Sequence, residues 1–200
     1  MSKIALAVGL VFLLSFRSGE ESGQEIIKKM KAVYSEKCVS QLMQYTLSNP
    51  NLQDDIVKSG SVKSMGNKYF IEMENELLVS DSKTTWIVLK EEQEISMFCD
   101  SETYGTFLFY SMAGNWVELP SDSETRKFRM KDADNSIYTM FIDTREFVIT
   151  KVEVLASSGT KFLYEYEDHV IEEKCHEKDF EVDLKDYEEY YVNDQREDDC

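Results

Sequence analysis

The spacing of hydrophobic side chains predicts one helix followed by a long series of strands. From Gln24 to Lys37, apolar residues recur every three or four positions with Lys and Glu between them, which predicts an amphipathic helix. From Cys38 onward apolar and polar positions alternate, the period of a strand with one buried face. The strands predicted are Cys38–Leu47, Ile56–Met65, Tyr69–Glu74, Leu77–Val79, Thr84–Leu89 and Glu94–Phe98, then strands around Phe128 and Met140, over Val148–Leu155 and around Tyr164.

One segment in the middle of the chain interrupts the alternation. Between Tyr104 and Met112 four aromatic or apolar residues stand in a row, which favours a short apolar helix or an inserted loop that closes at Gly114. Elsewhere the strands are separated by short turn signals such as Gly66-Asn67, which is typical of an antiparallel hairpin.

About ten strands are too many for a flat open sheet, because strand twist curls a sheet of this size. One face of each strand is apolar, so the curled sheet encloses an apolar concave surface that only the two helical patches can cover. The pattern therefore predicts a mainly β fold with some helix: an unclosed antiparallel half-barrel with a helical lid. On the first strand the inward side comprises Val39, Gln41, Met43, Tyr45 and Leu47. Whether this interior is an ordinary filled core or a ligand cavity stays open at this point.

The net charge and the N-terminal segment indicate the cellular compartment of the protein and the classes of partner it can bind. The 200 residues carry 22 Lys and Arg against 39 Asp and Glu, a formal charge of -17, which argues against nucleic-acid binding. Residues 1–19 have the layout of a secretory signal peptide, with Lys3 before an apolar run that is too short to span a membrane. We expect residues 20–200 to form a single exported domain that ends in an acidic tail from Glu172.

Cysteine usage and motifs give no sign of a metal site or an enzyme. Cys38, Cys99, Cys175 and Cys200 allow three full disulfide pairings, among which the sequence does not choose. Cys175-His176 is a weak metal-binding signal, so no metal and no cofactor is predicted. The chain has no nucleophile elbow, zinc-protease motif or phosphate loop, and we expect it not to be an enzyme.

A series of short motifs resembles one known family. The stretch V-S-D-S-K-T-T-W at Val79–Trp86 is similar to the V-S-D-G-K-T-x-W signature of the periplasmic outer-membrane lipoprotein carriers, the LolA family. The strand ending at Asn49-Pro50 and the closing Val192-Asn193-Asp194-Gln195-Arg196 also resemble that family in the right order. Two positions depart from it. Met65-Gly66 stands where many members have the Arg-Pro pair whose Arg bonds to the lid, and Ser82 replaces a turn glycine.

The resemblance implies a function and a site. Members hold lipoprotein acyl chains in the apolar cavity and carry lipoproteins through the periplasm from the inner to the outer membrane. The implied partners are acylated lipoproteins, an inner-membrane ATP-driven releasing complex and an outer-membrane acceptor, and we expect a monomer. The cavity is expected to be lined by Met43, Tyr45, Leu47, Tyr69, Ile71, Met73, Trp86, Phe107, Leu108, Phe128, Met130, Met140, Phe162 and Tyr164.

Two other functions stay compatible with the sequence. A lipid- or lipoprotein-sensing envelope regulator would share the fold and bind the same groups without carrying them. An exported, non-catalytic structural β module would have a closed interior filled by its own side chains.

Overall fold

The computed structural model describes residues 21–99 and 109–196 and begins with one amphipathic helix. Helix α1 spans Gly23–Glu36, one residue from the predicted bounds at each end. Ser22 caps its N-terminus, with the Ser22 side chain accepting a hydrogen bond from the Glu25 backbone N–H at 3.3 Å. Ile26, Met30 and Tyr34 recur at every fourth position and form its buried face.

Twelve strands follow among the described residues and form one sheet. The predicted strands are all present, and two further short ones, β7 and β12, were not predicted from the sequence. Their bounds are β1 Cys38–Ser48, β2 Ile56–Met65, β3 Lys68–Met73, β4 Glu76–Ser80, β5 Thr84–Leu89, β6 Glu94–Cys99, β7 Val117–Leu119, β8 Thr125–Lys131, β9 Ile137–Asp143, β10 Ile149–Leu155, β11 Lys161–Glu172 and β12 Tyr191–Asp194.

The sheet is curled and open, as the number of strands and their one-sided alternation predict. Its strand order is β12-β6-β5-β4-β3-β2-β1-β11-β10-β9-β8-β7, so β12 and β7 are its two edges. Neighbouring strands are antiparallel, except that β12 runs parallel to β6. The main hydrophobic core lies between one face of this sheet and α1. The predicted fold class, a mainly β unclosed half-barrel, is confirmed.

The C-terminal residues 173–196, called here the C-terminal arm, cover part of the opposite face of the sheet. The arm contains two short 3₁₀ helices, Glu177–Phe180 and Leu184–Tyr187, before β12. Its Val182, Tyr187 and Tyr190 pack on a second hydrophobic cluster, which comprises Leu77, Val79, Trp86, Val88, Ile95 and Met97. The acidic tail is therefore a structural part of the domain.

A disulfide joins the start of β1, just after helix α1, to the start of the C-terminal arm. Cys38, the first residue of β1, is bonded to Cys175, with Cα atoms 4.9 Å apart. Cys99 is disulfide-bonded as well. Cys200, the fourth cysteine, lies outside the described residues.

Two predictions fall on residues that the structure does not describe. The proposed signal peptide lies within residues 1–20, and most of the predicted second helical patch lies within residues 100–108. In the described part of the chain, no helix combines the length and the apolar character needed to cross a membrane.

Candidate functional site

The floor of the concave face is apolar and fully covered. Strand register carries one row of side chains across it. Tyr164 on β11 lies opposite Val152 on β10, Val152 lies opposite Met140, and Met140 lies opposite Phe128 on β8. On the other side of β1, the floor continues through the inward residues of β3. We define the floor as the buried residues Met43, Tyr69, Ile71, Phe128, Met140 and Tyr164.

The rim of the concave face is only half-buried. Leu47, near the end of β1, lies opposite Phe162 on β11, and Tyr138 follows along the same row of the sheet. We define the rim as Tyr45, Leu47, Met73, Tyr138 and Phe162, all of intermediate exposure. Aromatic rings are close together here, with the Tyr45 ring 5.1 Å from that of Tyr164 and 6.3 Å from that of Phe162. A ligand that entered the concave face at this end would first meet these side chains.

One charged pair lies beside Tyr45 at the rim. The Lys58 ammonium pairs with the Glu76 carboxylate at 2.7 Å, and Lys58 lies opposite Tyr45 in the sheet. Burial, reinforced by the negative charge of Glu76, raises the pKa of Tyr45. Tyr45 is therefore a neutral phenol at physiological pH, and the rim presents hydroxyl groups beside an otherwise apolar surface.

Helix α1 and the segment 109–116 cover the concave face together. Ile26, Met30 and Tyr34 of α1 are part of the main core, and so are Phe109 and Tyr110. The Phe109 ring lies 4.9 Å from that of Tyr164 on the floor. Lys31 of α1 donates a hydrogen bond to the Met112 carbonyl at 3.3 Å, which joins the two covering segments. This cover is the part of the predicted lid that the structure describes.

A buried polar network attaches the helix to the sheet. The Tyr34 hydroxyl donates to Gln41 Oε1 at 3.1 Å and accepts from the Ile149 backbone N–H at 3.1 Å. The Gln41 amide Nε2 in turn donates to the Ile149 carbonyl at 2.8 Å. Burial raises the pKa of Tyr34, so its hydroxyl stays protonated and keeps its role as a donor. We call Tyr34, Gln41 and the Ile149 backbone the tyrosine latch.

A second attachment lies at the position where the resemblance leads one to expect an Arg-Pro pair. The Gly66 N–H donates to the Tyr34 carbonyl at 2.8 Å, and the Tyr110 hydroxyl donates to the Gly66 carbonyl at 2.7 Å. The rings of Tyr34 and Tyr110 are stacked at 4.4 Å. The lid is therefore held at this turn by backbone groups and two tyrosines, without an arginine.

A small cavity lies beneath the cover in the described part of the chain. A cavity of about 20 Å³ lies beside the tyrosine latch, lined by Tyr34, Gln41, Ser64, Tyr110 and Tyr166 among others. Such a volume is enough for about one water molecule. Two larger hollows, about 460 and 560 Å³, involve residues of the outer face, and one of about 230 Å³ lies beside Ile26 and Phe147 at the helix. An acyl chain could enter the concave face only if the cover moved away.

Most of the predicted cavity residues lie together on the concave face. By contact or by strand register they are Met43, Tyr45, Leu47, Tyr69, Ile71, Met73, Phe128, Met130, Met140, Phe162 and Tyr164. Phe107 and Leu108 lie outside the described residues. Whether the assembled residues bind lipid stays a prediction.

Trp86 is the predicted cavity residue that the structure places elsewhere. It lies opposite Val79, which lies opposite Phe70, so Trp86 is on the other face of the sheet from Tyr69 and Ile71. There it packs beneath the C-terminal arm. β4 and β5 carry apolar side chains on both faces, such as Leu78 and Val79, and for this reason the apolar pattern did not reveal which face Trp86 occupies.

The latch residues were missed as functional residues, although the sequence carried one signal. Gln41 is a polar residue at an inward position of an apolar strand face, and a buried amide needs hydrogen-bond partners.

Among the described residues, no group of His, Cys, Asp or Glu is arranged to hold a metal ion.

Comparisons with known proteins support the fold and leave the function open. No protein-family model matches the chain, and no curated protein matches it in sequence. An uncharacterized conserved protein from Thermus thermophilus is similar in fold, with a TM-score of 0.60 and 11% identity over 88% of this chain and 100% of that chain.

Two weaker likenesses carry family names. A LolA superfamily protein from Nitrosomonas europaea matches 82% of this chain and 99% of its own, with a TM-score of 0.44 and 10% identity. A putative outer membrane lipoprotein-sorting protein domain from Vibrio parahaemolyticus matches 78% of this chain and 94% of its own, with a TM-score of 0.45 and 12% identity.

Proposed function

We propose that this protein is a periplasmic carrier that binds lipoprotein acyl chains on its concave face and takes lipoproteins from the inner to the outer membrane. The observation that carries the proposal is the way in which the concave face is covered. A broad apolar floor is covered by one helix and one loop segment, and neither belongs to the sheet. A cover attached by a few side-chain and backbone bonds can separate from the floor while the sheet stays paired.

Energetics are consistent with tight but reversible holding. Each CH₂ group of an acyl chain that is buried contributes roughly 0.8 kcal/mol of binding free energy, which offsets the cost of opening the cover. The opening breaks the bonds of Tyr34 and Tyr110 and exposes the buried face of α1. Partners that bind the open form better than the closed one would load and unload the carrier. We propose an ATP-driven releasing complex of the inner membrane and an acceptor at the outer membrane for these roles.

The test is native mass spectrometry of the protein with a triacylated lipopeptide and with the same peptide without acyl chains. A one-to-one complex that forms only with the acylated peptide is the expected result. Met73→Glu places a carboxylate on the rim, where an unpaired charge costs at least about 3 kcal/mol to desolvate. We expect this variant to bind at least about 100-fold more weakly, since roughly 1.4 kcal/mol corresponds to a factor of ten.

A matched control separates loss of the site from loss of the fold. Val57→Glu makes the same kind of change on the neighbouring strand, at a residue that is 55% exposed and faces away from the floor. This variant is expected to bind the acylated peptide as the unchanged protein does. If Met73→Glu remained folded by circular dichroism and still bound, the concave face would not be the site.

One observation favours a second candidate, an exported non-catalytic structural module. Core residues of the concave face such as Met140 and Val152 are 0% exposed, as in a permanently filled barrel. The same mass spectrometry decides between the two functions, because a structural module gives no acyl-dependent complex. A complex that forms but is not passed on to acceptor membranes would instead indicate the lipid- or lipoprotein-sensing regulator.

A further inference from the structure

The outer face of strands β8 to β11 carries a concentration of positive charge in a strongly acidic protein. The chain has a formal charge of -17. Five cationic side chains nevertheless lie on adjacent strands of one face. We call them the basic face: Lys127, Arg129, Lys131, Lys151 and Lys161.

Strand register shows that these side chains point to the same side of the sheet. Lys127 and Lys151 both lie opposite Phe141 of β9. Lys131 lies opposite Ile137, Ile137 lies opposite Leu155, and Leu155 lies opposite Lys161. These positions alternate with the floor residues Phe128 and Met140, so the basic face is the outer side of the same strands.

The cations differ in how they are engaged. Lys127 and Lys151 lie over the Phe141 ring, at 4.9 and 5.2 Å from its centre. Lys151 also pairs with Glu153 at 2.9 Å, and Glu165 lies opposite Lys151. Arg129, Lys131 and Lys161 are exposed and form no ion pair within the described residues. Three of the cations are therefore available to an external anion.

Apolar side chains and a hollow lie among these charges. A hollow of about 560 Å³ is lined by Arg129 and Lys161 together with Thr139, Ile137 and Leu163, and by the carboxylates of Asp55 and Glu153. Leu155 at its edge is 41% exposed. Val117, opposite Arg129, is 58% exposed. The face thus alternates cations with protruding apolar groups.

We propose that the basic face binds the surface of a membrane rich in anionic lipids. The cations extend over four strands and four residues, roughly 14 by 13 Å from the strand spacing and the rise per residue. An array this wide meets several headgroups at once, and the exposed apolar side chains can enter between them. The acidic arm packs on β3 to β6 and reaches β1 and β2 through the Cys38–Cys175 disulfide and the Lys63–Asp179 ion pair, whereas the basic face lies on β8 to β11. Charges farther apart than about 8 Å are largely screened at physiological salt. The proposal does not depend on what the concave face holds.

The test is co-sedimentation of the full chain with vesicles of phosphatidylcholine alone and with vesicles that also contain phosphatidylglycerol. The expected result is binding to the anionic vesicles only, weakened by added salt. The triple variant Arg129→Glu, Lys131→Glu and Lys161→Glu should bind at least about 100-fold more weakly, because each cation near an anionic surface contributes roughly a fivefold factor.

The control variant Lys83→Glu, Lys174→Glu and Lys185→Glu changes the net charge by the same amount at exposed sites away from this face. It should keep most of the binding. All proteins carry the same N-terminus, so its contribution cancels in the comparison. If the charge-reversed face variant does not fold, the variant Arg129→Gln, Lys131→Gln and Lys161→Gln takes its place.

Several results would overturn the proposal. In the first, the unchanged protein ignores anionic vesicles at low salt, or both triple variants lose binding equally. In the second, the protein ignores vesicles but binds poly-glutamate through Arg129, Lys131 and Lys161, which would make the partner an acidic protein. Concentration-dependent self-association that the face variant abolishes, without vesicle binding, would assign the face to a second copy of this chain and would also refute a membrane role.

Discussion

Tyr34 is the side chain on which the attachment of the lid depends most directly. Its buried hydroxyl donates a hydrogen bond to Gln41 and accepts one from the Ile149 backbone N–H. Tyr34→Phe keeps the ring and leaves a buried carbonyl and a buried N–H without this partner, which costs about 1–3 kcal/mol. We expect the amides of α1 to exchange with solvent faster, as measured by hydrogen exchange with mass spectrometry.

The control for this change is Tyr191→Phe, which removes a hydroxyl from a side chain that is 68% exposed. It should leave exchange in α1 unchanged. Equal exchange in Tyr34→Phe and in the unchanged protein would show that the latch does not hold the lid.

Residue identity at one turn shows how local chemistry tolerates a departure from the family pattern. Ser82 has φ 77°, a left-handed conformation that glycine adopts without strain. The turn forms with serine because Asp81 Oδ1 accepts hydrogen bonds from the N–H groups of Lys83 and Thr84, both at 2.8 Å. The departure at Ser82 therefore leaves the hairpin between β4 and β5 intact.

The C-terminal arm is an element that we expect to stabilise the sheet by covering its second hydrophobic cluster. Phe180 in its first 3₁₀ helix is 1% exposed, and that helix packs against β3. Phe180→Ala would leave a cavity under the arm and should lower the free energy of unfolding by about 3–5 kcal/mol. Urea unfolding followed by circular dichroism measures this loss.

Leu184→Ala provides the comparison within the same arm, since Leu184 is 41% exposed. Its effect should be well under that of Phe180→Ala. Similar small effects of both substitutions would mean that the arm is only loosely attached.

Elements whose own residues carry a strand pattern between clear turns were predictable, and elements that depend on distant partners were not. The predicted bounds of β2 and β5 agree with the structure, because hydrophobic alternation or β-branched runs there are bounded by clear turns. β12 lies in an acidic stretch, and its pairing with β6 is a parallel contact with a strand far away in the chain. β7 has three residues, of which Val117 and Glu118 are exposed, and so it carries no alternation to detect.

At the scale of the whole molecule, the buried tyrosines make stability depend on alkaline pH. Burial raises the pKa values of Tyr34, Tyr110 and Tyr164 above their ordinary value. Because the unfolded chain ionises first, their contribution is complete below about pH 10 and is lost as the pH rises further, by roughly 1.4 kcal/mol per pH unit for each phenol.

Ultraviolet absorbance of tyrosinate and far-ultraviolet circular dichroism measured on the same alkaline titration check this expectation. The buried phenols should ionise together with unfolding, at a higher pH than in the urea-unfolded chain. Ionisation of every tyrosine near pH 10 with the sheet intact would contradict it.

The disulfide between Cys38 and Cys175 also determines what can move. It closes β1 to β11 into one covalent ring, whose bonded residues are 137 positions apart, and α1 is left outside as a pendant. The junction is Lys37, which has an extended backbone with φ -115° and ψ 155°. A 14-residue helix is about 21 Å long, so if α1 were released from the floor it would turn about this junction at a fixed radius. Such a rotation would break no strand pairing, and the helix would stay attached to the sheet at Lys37.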